Sequence, residues 1–428
     1  MQVLRPKDKG YERALEGLKR RYVADPAVRA TVEEILKNIE ATGDKALLDY
    51  TKKFNGPDLA ASRIPVSPAE VAEALNTLEP STRKAIDAAR ANVRAFAKRS
   101  LRKSWFMTNR QGAVTGERFD PFKRVGIYIP GGTAPLVSTA VMTCTLAHAA
   151  GVPEIVAVTP ADRNGVVQPA LLAALSLCGA TEIYRVGGAQ AVAALALGTK
   201  TIRPVQKIFG PGNAYVVEAK RQVFGTVAID LLPGPSEVLV IADKTANPSW
   251  IAADLLAQAE HGHGSQAILL TDSAKILTAV EKAVARQVKL SRRPAELAKA
   301  LKATRLILVR GMDEAVRVAN NYACEHVAIA TDSPGAIALE LQTSGAVFLG
   351  GMSPVAAGDF LAGPSHELPT GGAGKSFAGL TVDQFQRRTS VVMFDEPSLR
   401  ASQPHIATFS AIEGLDAHGR SVSIRLSK

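Results

Sequence analysis

Cysteine is scarce in this chain. The only three in 428 residues are Cys144, Cys178 and Cys324, and their spacing suggests neither a disulfide framework nor a thiolate zinc site. An unbroken apolar run is also missing. The longest weakly charged stretch, 125–159, is cut by Gly131, Gly132, Pro135, His148, Gly151, Pro153 and Glu154, which leaves less than the roughly 20 residues a membrane span needs. The first ten residues carry charges where a signal peptide needs an apolar core, so a cytoplasmic protein is expected. What is present is an ordinary globular balance, 46% apolar and 21% charged, in a length that suggests two or three domains.

The net charge of +11 is concentrated in one segment. Between Pro80 and Val125 there are 12 Lys and Arg against 3 Asp and Glu. Ile86, Ala89, Val93 and Phe96 recur there at helical spacing, which places the basic residues on the opposite, solvated face. The aromatic interleaving and motifs of a nucleic-acid surface are absent, so no nucleic-acid partner is expected; attraction of small anions such as a dinucleotide pyrophosphate remains open.

Residues 1–105 read as helices, with Asp25-Pro26 opening one run and Ser67-Pro68-Ala69-Glu70 forming a capping box. From Arg124 the pattern changes to short β-branched runs alternating with Ala/Leu-rich stretches. Strands are predicted at 125–129, 154–158, 182–186, 205–209 and 227–231, and again at 237–242, 266–271, 305–309, 327–330 and 346–349. Two similar α/β layers built from βαβ units account for the doubled series. After the glycine-rich stretch 370–375, about fifty residues hold one strand-like run, 389–394, and one short helix. That is too little for an independent core, so this tail must pack on something else.

Glycine turns follow several predicted strands: Gly131-Gly132, Gly187-Gly188 and Gly210-Pro211-Gly212-Asn213. The last fails as a dinucleotide fingerprint because Tyr215 stands where the third glycine should be, although Asp230 follows at the distance of a ribose-binding acid. Four of the seven histidines lie in polar contexts at element ends. Gln258 and His261 share a helix face before a glycine stop, and Glu325-His326 precedes a strand; Asp359 and His366 share a loop, as do Glu413 and His418. None has zinc-protease spacing, so metal ligands would have to converge from distant parts of the chain, and a set without thiolate suits zinc, manganese or cobalt. Cys324 stands where a thiolate nucleophile would be, but a cysteine near a helix end is more often a small buried hydrophobe.

The ordered set Gly126-Ile127-Tyr128-Ile129-Pro130-Gly131-Gly132, Phe209-Gly210-Pro211-Gly212-Asn213, Gly234-Pro235-Ser236-Glu237, Gln258-Ala259-Glu260-His261, Asn321-Tyr322-Ala323-Cys324-Glu325-His326, the 359–366 loop, Gly379-Leu380-Thr381-Val382 and the 413–418 segment resembles the histidinol dehydrogenase family over nearly the whole chain. The resemblance implies oxidation of L-histidinol through bound L-histidinaldehyde to L-histidine, with two NAD+ and one zinc ion per subunit. It implies Gln258, His261, Asp359 and His418 as metal ligands and Glu325 and His326 as proton acceptors. Substrate contacts would come from Ser236, Gln258, His261, His326, Asp359, His366, Glu413 and His418, and NAD contacts from Tyr128, Gln190 and Asn213. Cys324 departs from the motif, which usually carries proline there.

The implied α/β architecture has a helical N-terminal region (1–105), two incomplete Rossmann-like domains (106–235 and 236–380) and a tail (381–428) exchanged in a homodimer. The chemistry suits these residue types: His326, neutral near pH 7, can take the alcohol proton, and Glu325 can activate the water that adds to the aldehyde. A metal-dependent hydrolase, or a dehydrogenase of another small polyol, are the alternatives, and NAD+ binding separates the first of them.

Overall fold

The computed structural model describes residues 1–18, 25–131, 136–262, 264–291 and 294–427, apart from the side chain of Glu296. Gly132 and Pro135, named above, lie outside the described residues. The strands are β1 (Gln2–Leu4), β2 (Trp105–Thr108), β3 (Val114–Pro121), β4 (Arg124–Tyr128), β5 (Glu154–Val158), β6 (Glu182–Tyr184), β7 (Lys207–Phe209), β8 (Ala228–Ile229), β9 (Glu237–Ala242), β10 (Gln266–Thr271), β11 (Arg305–Leu308), β12 (His326–Ala330), β13 (Ala346–Leu349) and β14 (Gln386–Met393).

The first parallel sheet runs β6-β5-β4-β7-β8 and the second β1-β11-β10-β9-β12-β13. Setting β1 aside, both have the same order, third-second-first-fourth-fifth, which is the doubly wound order without its last strand. Parallel strands covered on both faces must be apolar throughout, and all five residues of β4 and all six of β9 are buried. The first sheet is covered on one face by helices Pro80–Ser100, Val137–Ala149 and Pro169–Leu177, and on the other by Pro26–Thr42, Asp44–Lys53, Gly188–Leu197 and Ala214–Val223. Helices Pro248–Ala259 and Ala274–Gln287 cover one face of the second sheet, and Met312–Tyr322 covers the other.

The caps read in the sequence are formed. Asp25 accepts from the Ala27 amide at 2.8 Å, and Ser67 and Glu70 make a reciprocal capping box. In helix Pro80–Ser100 the buried stripe is Ile86, Ala89, Val93 and Ala97, whereas Phe96 is 43% exposed. The step from 93 to 97 keeps to one face and the step to 96 does not. The N-terminal segment is not wholly helical: β1 pairs in parallel with β11, and Tyr11, Leu15 and Leu18 join the core of the second sheet, while the helices from Pro26 onward serve the first.

A third sheet, antiparallel and unforeseen, runs β14-β3-β2 and exposes Trp105, Phe106, Met107, Val392 and Met393. It holds the start of the tail on its own chain. Beyond it stand two helices, Glu396–Glu413 and Asp416–Leu426, rather than the one short helix expected; they pack on each other and leave Phe409, Ile412, Leu415 and Ile424 exposed. Among the described residues no helix is long and apolar enough to cross a membrane.

Candidate active site

Two of the predicted residues meet at the amino ends of β9 and β12. Helix Met312–Tyr322 ends at Ala323, whose left-handed backbone (φ 55°) turns the chain sharply into Cys324, Glu325 and the first residue of β12, His326. Glu325 is buried. Its Oε2 accepts from the Ser236 hydroxyl at 2.6 Å and from the Glu237 amide at 2.7 Å, and neither bond uses Oε1. The Nδ1 of His326 lies 3.0 Å from the Glu237 carbonyl. A carbonyl can only accept, so Nδ1 carries the proton and, in the neutral ring, the lone pair is on Nε2. That Nε2 lies 3.4 Å from Asp359 Oδ1.

Asp359 sits at the end of helix Val355–Phe360, and its backbone oxygen accepts from His366 Nδ1 at 2.8 Å. The Nε2 of His366 lies 3.4 Å from the Thr139 hydroxyl, on helix Val137–Ala149 that covers the first sheet, so that layer reaches the cluster too. Glu237, which the sequence reading quoted but gave no role, is fully buried at the head of β9. Its Oε1 accepts from the Gly371 amide at 2.7 Å and its Oε2 receives the Glu325 amide at 3.4 Å, which fixes the backbone on which Glu325 and His326 stand. A carboxylate heading an otherwise apolar strand was the signal that could have found it.

The electrostatics differ from the expectation of a neutral His326. Burial disfavours its charge, but hydrogen bonds and charge from Asp359 and Glu325 outweigh this and bring its pKa up to about 9. Asp359 is the counterpart: burial pushes it up, yet His326, His366 and His261 hold it below the ordinary carboxylate range. Burial pushes His366 down, against the pull of Asp359.

Gln258, in the last turn of helix Pro248–Ala259, is buried, and its amide nitrogen has no hydrogen-bond partner. His261 is exposed just beyond that helix and lies close enough to Asp359 to influence its charge. A buried amide without a partner, a carboxylate and an imidazole form a nitrogen and oxygen donor set of the kind zinc accepts. Among the described residues, though, no group of three His, Cys, Asp or Glu side chains gathers at metal-binding distance. Glu413 and His418 are exposed on the tail, and no hydrogen bond or ion pair among the described residues joins them to the cluster. Cys324 is fully buried in the core of the second sheet with Leu239, Val327 and Ile329, which is the structural reading.

A second site lies at the carboxyl ends of the first sheet, where sheets of this order bind ligands. A cavity of about 370 Å³ opens there, and Tyr128, Gln190 and Asn213 all line it, together with Phe54 and Pro57 from the N-terminal helices. The Tyr128 hydroxyl accepts from the Gly188 amide at 3.0 Å, and burial pushes its pKa up, so it stays a phenol. Gln190 points a buried, unpartnered Oε1 at this site, and Asn213 caps helix Ala214–Val223 by accepting from Tyr215 and Val216.

Gly210 has φ +110°, and a Cβ there would stand 2.1 Å from the Tyr128 carbonyl oxygen, so only glycine lets this loop cross β4. Asp230 is not available as a ribose acid. It is buried, accepts from the Gly210 amide at 2.7 Å and pairs with the fully buried Lys220, whose ammonium also donates to the Gly210 carbonyl at 2.8 Å. Glu367, fully buried beside this pair, is pushed well up by burial and by the Asp230 charge.

These two sites sit in a chain with extensive known kinship. The histidinol dehydrogenase family model matches residues 18–426. A histidinol dehydrogenase of Rhizobium meliloti (strain 1021) is 47% identical over 401 residues, 94% of this chain and 92% of that one. One from Geobacillus kaustophilus (strain HTA426) is 44% identical over 401 residues, 94% of each chain. The crystal structure of histidinol dehydrogenase from Elizabethkingia anophelis superposes with a TM-score of 0.94 at 36% identity, covering 100% of this chain and 98% of that one. An acetylating aldehyde dehydrogenase from Geobacillus thermoglucosidasius, 15% identical with a TM-score of 0.52 over 90% of this chain and 96% of that one, shares the fold. On a model match and identities that extend over almost its whole length, this chain belongs to the histidinol dehydrogenase family.

Proposed function

We propose that the chain catalyses the NAD-dependent, four-electron oxidation of L-histidinol to L-histidine through bound L-histidinaldehyde, the last two steps of histidine biosynthesis, as a cytoplasmic homodimer with one zinc ion per subunit. The observation that carries this reading is the buried Glu325-His326 pair aimed at Asp359, in a chain whose separate cavity is lined by all three residues assigned to NAD.

When bound, zinc supplies a Lewis-acidic anchor for the substrate's imidazole and amine, and NAD supplies the hydride acceptor. Gln258, His261 and Asp359 would hold the metal, with His418 as the fourth ligand. With Asp359 committed to a cation, His326 loses one of its two supporting carboxylates and its pKa falls back toward neutrality. His326 then accepts the alcohol proton at Nε2 as hydride leaves the same carbon, forming the aldehyde. Glu325, oriented by Ser236 and the Glu237 amide, takes a proton from water as its oxygen bonds to the aldehyde carbon and the carbonyl electron pair moves to oxygen. His326 protonates that oxygen and removes a proton again as the second hydride leaves. One water enters, two hydrides depart, and the acid releases its last proton to solvent to leave the carboxylate. Ser236 and His366 line the path of the substrate, and Tyr128, Gln190 and Asn213 hold the dinucleotide.

The fifty-residue tail supports the dimer. Its helices expose an apolar face and bear Glu413 and His418, which no hydrogen bond or ion pair among the described residues joins to the chain's own cluster; β14 stays on its own chain, and the part of the 381–428 tail beyond it completes the partner's site. Residues 106–235 and 236–380 form the two main units, with the helices between 26 and 100 serving the first and residues 1–18 the second.

Counting reduced cofactor tests the reading. Two NADH per histidinol, with little free aldehyde, is the expected result. A ratio near one with aldehyde released would overturn the assignment of both steps and the role of Glu325. Zinc analysis tests the ligands: Asp359→Ala and His261→Ala should each lose metal along with activity.

A further inference from the structure

The second sheet has the strand order of the first, and its catalytic residues stand at the amino ends of its strands. Its own carboxyl-end crevice is therefore left over. A cavity of about 340 Å³ occupies it, past the ends of β9, β12 and β13 and beside helix Pro248–Ala259.

The wall has a different chemistry. Among the described residues no lysine or arginine lines it, so phosphates find no counter-charge there, and the one ionisable group among them is Asp254 in the middle of helix Pro248–Ala259. Its carboxyl accepts no hydrogen bond and meets no cation among the described residues, and burial alone pushes its pKa up to about 6. The Thr331 hydroxyl, just past β12, is buried and unpartnered as well. Trp250 precedes Asp254 by one turn on the same helix face and is 49% exposed; its ring lies so close to Gly351 that a Cβ there would touch it at 3.1 Å. The other polar side chains are spent: Asn247 caps the helix through the Ser249 amide, and the Thr245 and Ser353 hydroxyls donate to Asp243 and to the Leu349 carbonyl. A half-buried carboxylate without a protein partner, beside a buried hydroxyl without one, offers a ligand two unfilled polar contacts.

We propose that this cavity binds a small organic cation with a flat ring, an arylalkylammonium, whose N–H groups reach Asp254 and Thr331 while the ring packs on Trp250.

Phenethylammonium is the probe. The chain has two tryptophans, so Trp105→Phe in the full-length protein leaves Trp250 as the sole fluorescent reporter. A saturable change in its emission is expected, with 2-phenylethanol, the neutral analogue, at least tenfold weaker. Asp254→Asn should weaken the ammonium probe tenfold or more and Thr331→Val severalfold, both with the circular dichroism of the parent. Turnover of histidinol by Asp254→Asn reports separately on the catalytic cluster. The proposal is overturned if the signal fails to saturate, if the neutral analogue binds as tightly, or if neither substitution changes the affinity.

Discussion

Replacing Lys220 by methionine probes whether the glycine loop beneath the cofactor cavity is held by buried charge. The ammonium of Lys220 has no solvent exposure, pairs with Asp230 and donates to the Gly210 carbonyl, while Asp230 holds the amide of the same glycine. Methionine conserves the volume but leaves Asp230 charged beside Glu367 with no cation, and leaves the Gly210 carbonyl unsatisfied. Removing one partner of a buried pair costs about 3–5 kcal/mol, and a cation about 4 Å away at an effective dielectric of about 20 contributes about 4 kcal/mol, so a loss near 4 kcal/mol is expected. Urea unfolding followed by circular dichroism, tracking the first transition of this multidomain chain, reads it. The double variant Lys220→Met/Asp230→Asn keeps an acceptor for the Gly210 amide without the stranded charge, and should recover about 2 kcal/mol. Because Gly210 leads directly into Asn213, NAD+ titration should show at least a tenfold loss of affinity in the single variant. A cost under about 1 kcal/mol with unchanged NAD+ binding would refute the reasoning.

Glu325→Gln should slow oxidation of the aldehyde more than oxidation of the alcohol, because only the second half needs an activated water; stopped-flow NADH formation from each substrate separates them, and equal losses would assign Glu325 a structural role. His261→Ala and His418→Ala should each be nearly inactive alone, while refolding an equal mixture restores roughly a quarter of the sites if the tail serves the partner; well-folded mixed dimers without activity would rule out the exchange. Hydrogen bonding to Arg185 holds Glu70 at about 2, and hydrogen bonding to Arg124 does the same for Glu182, against an ordinary 4.5. A depressed carboxylate stabilises the fold above its unfolded pKa and loses that contribution as pH falls, so stability should drop between pH 4.5 and 2, and Glu182→Gln should flatten that slope. An acid slope identical to the parent's would exclude Glu182 as its source.

The buried parallel strands were readable because a strand covered on both faces leaves a run of β-branched and apolar residues, as in β5 and β9. β3 left no such run. It alternates Gly116, Arg118 and Asp120 on a half-exposed ribbon whose partners, β2 and β14, are themselves largely exposed, and pairing between residues more than two hundred positions apart has no local signature. The tail's long helix was obscured by Pro404 in its interior. At the site, Glu325, His326, Asp359 and His366 stood out by type, whereas Glu237 was hidden in an apolar strand. Asp230 had the spacing of a ribose acid, but spacing says nothing of the buried lysine that claims it. The charge state of His326 depends on Asp359 as well as on its neighbour Glu325, and only the assembled chain brings Asp359 within reach.

The pairing of β1 with β11 also orders events in time. Gln2 lies opposite Arg305, so β1 waits for a partner made about 300 residues later, which takes roughly 15–60 s at ribosomal speeds of about 5–20 residues per second. All of β4 to β8 is synthesised within that interval. The first sheet and its cofactor crevice can close while the amino terminus is still free, and the second sheet is completed only when the oldest segment of the chain docks along its edge.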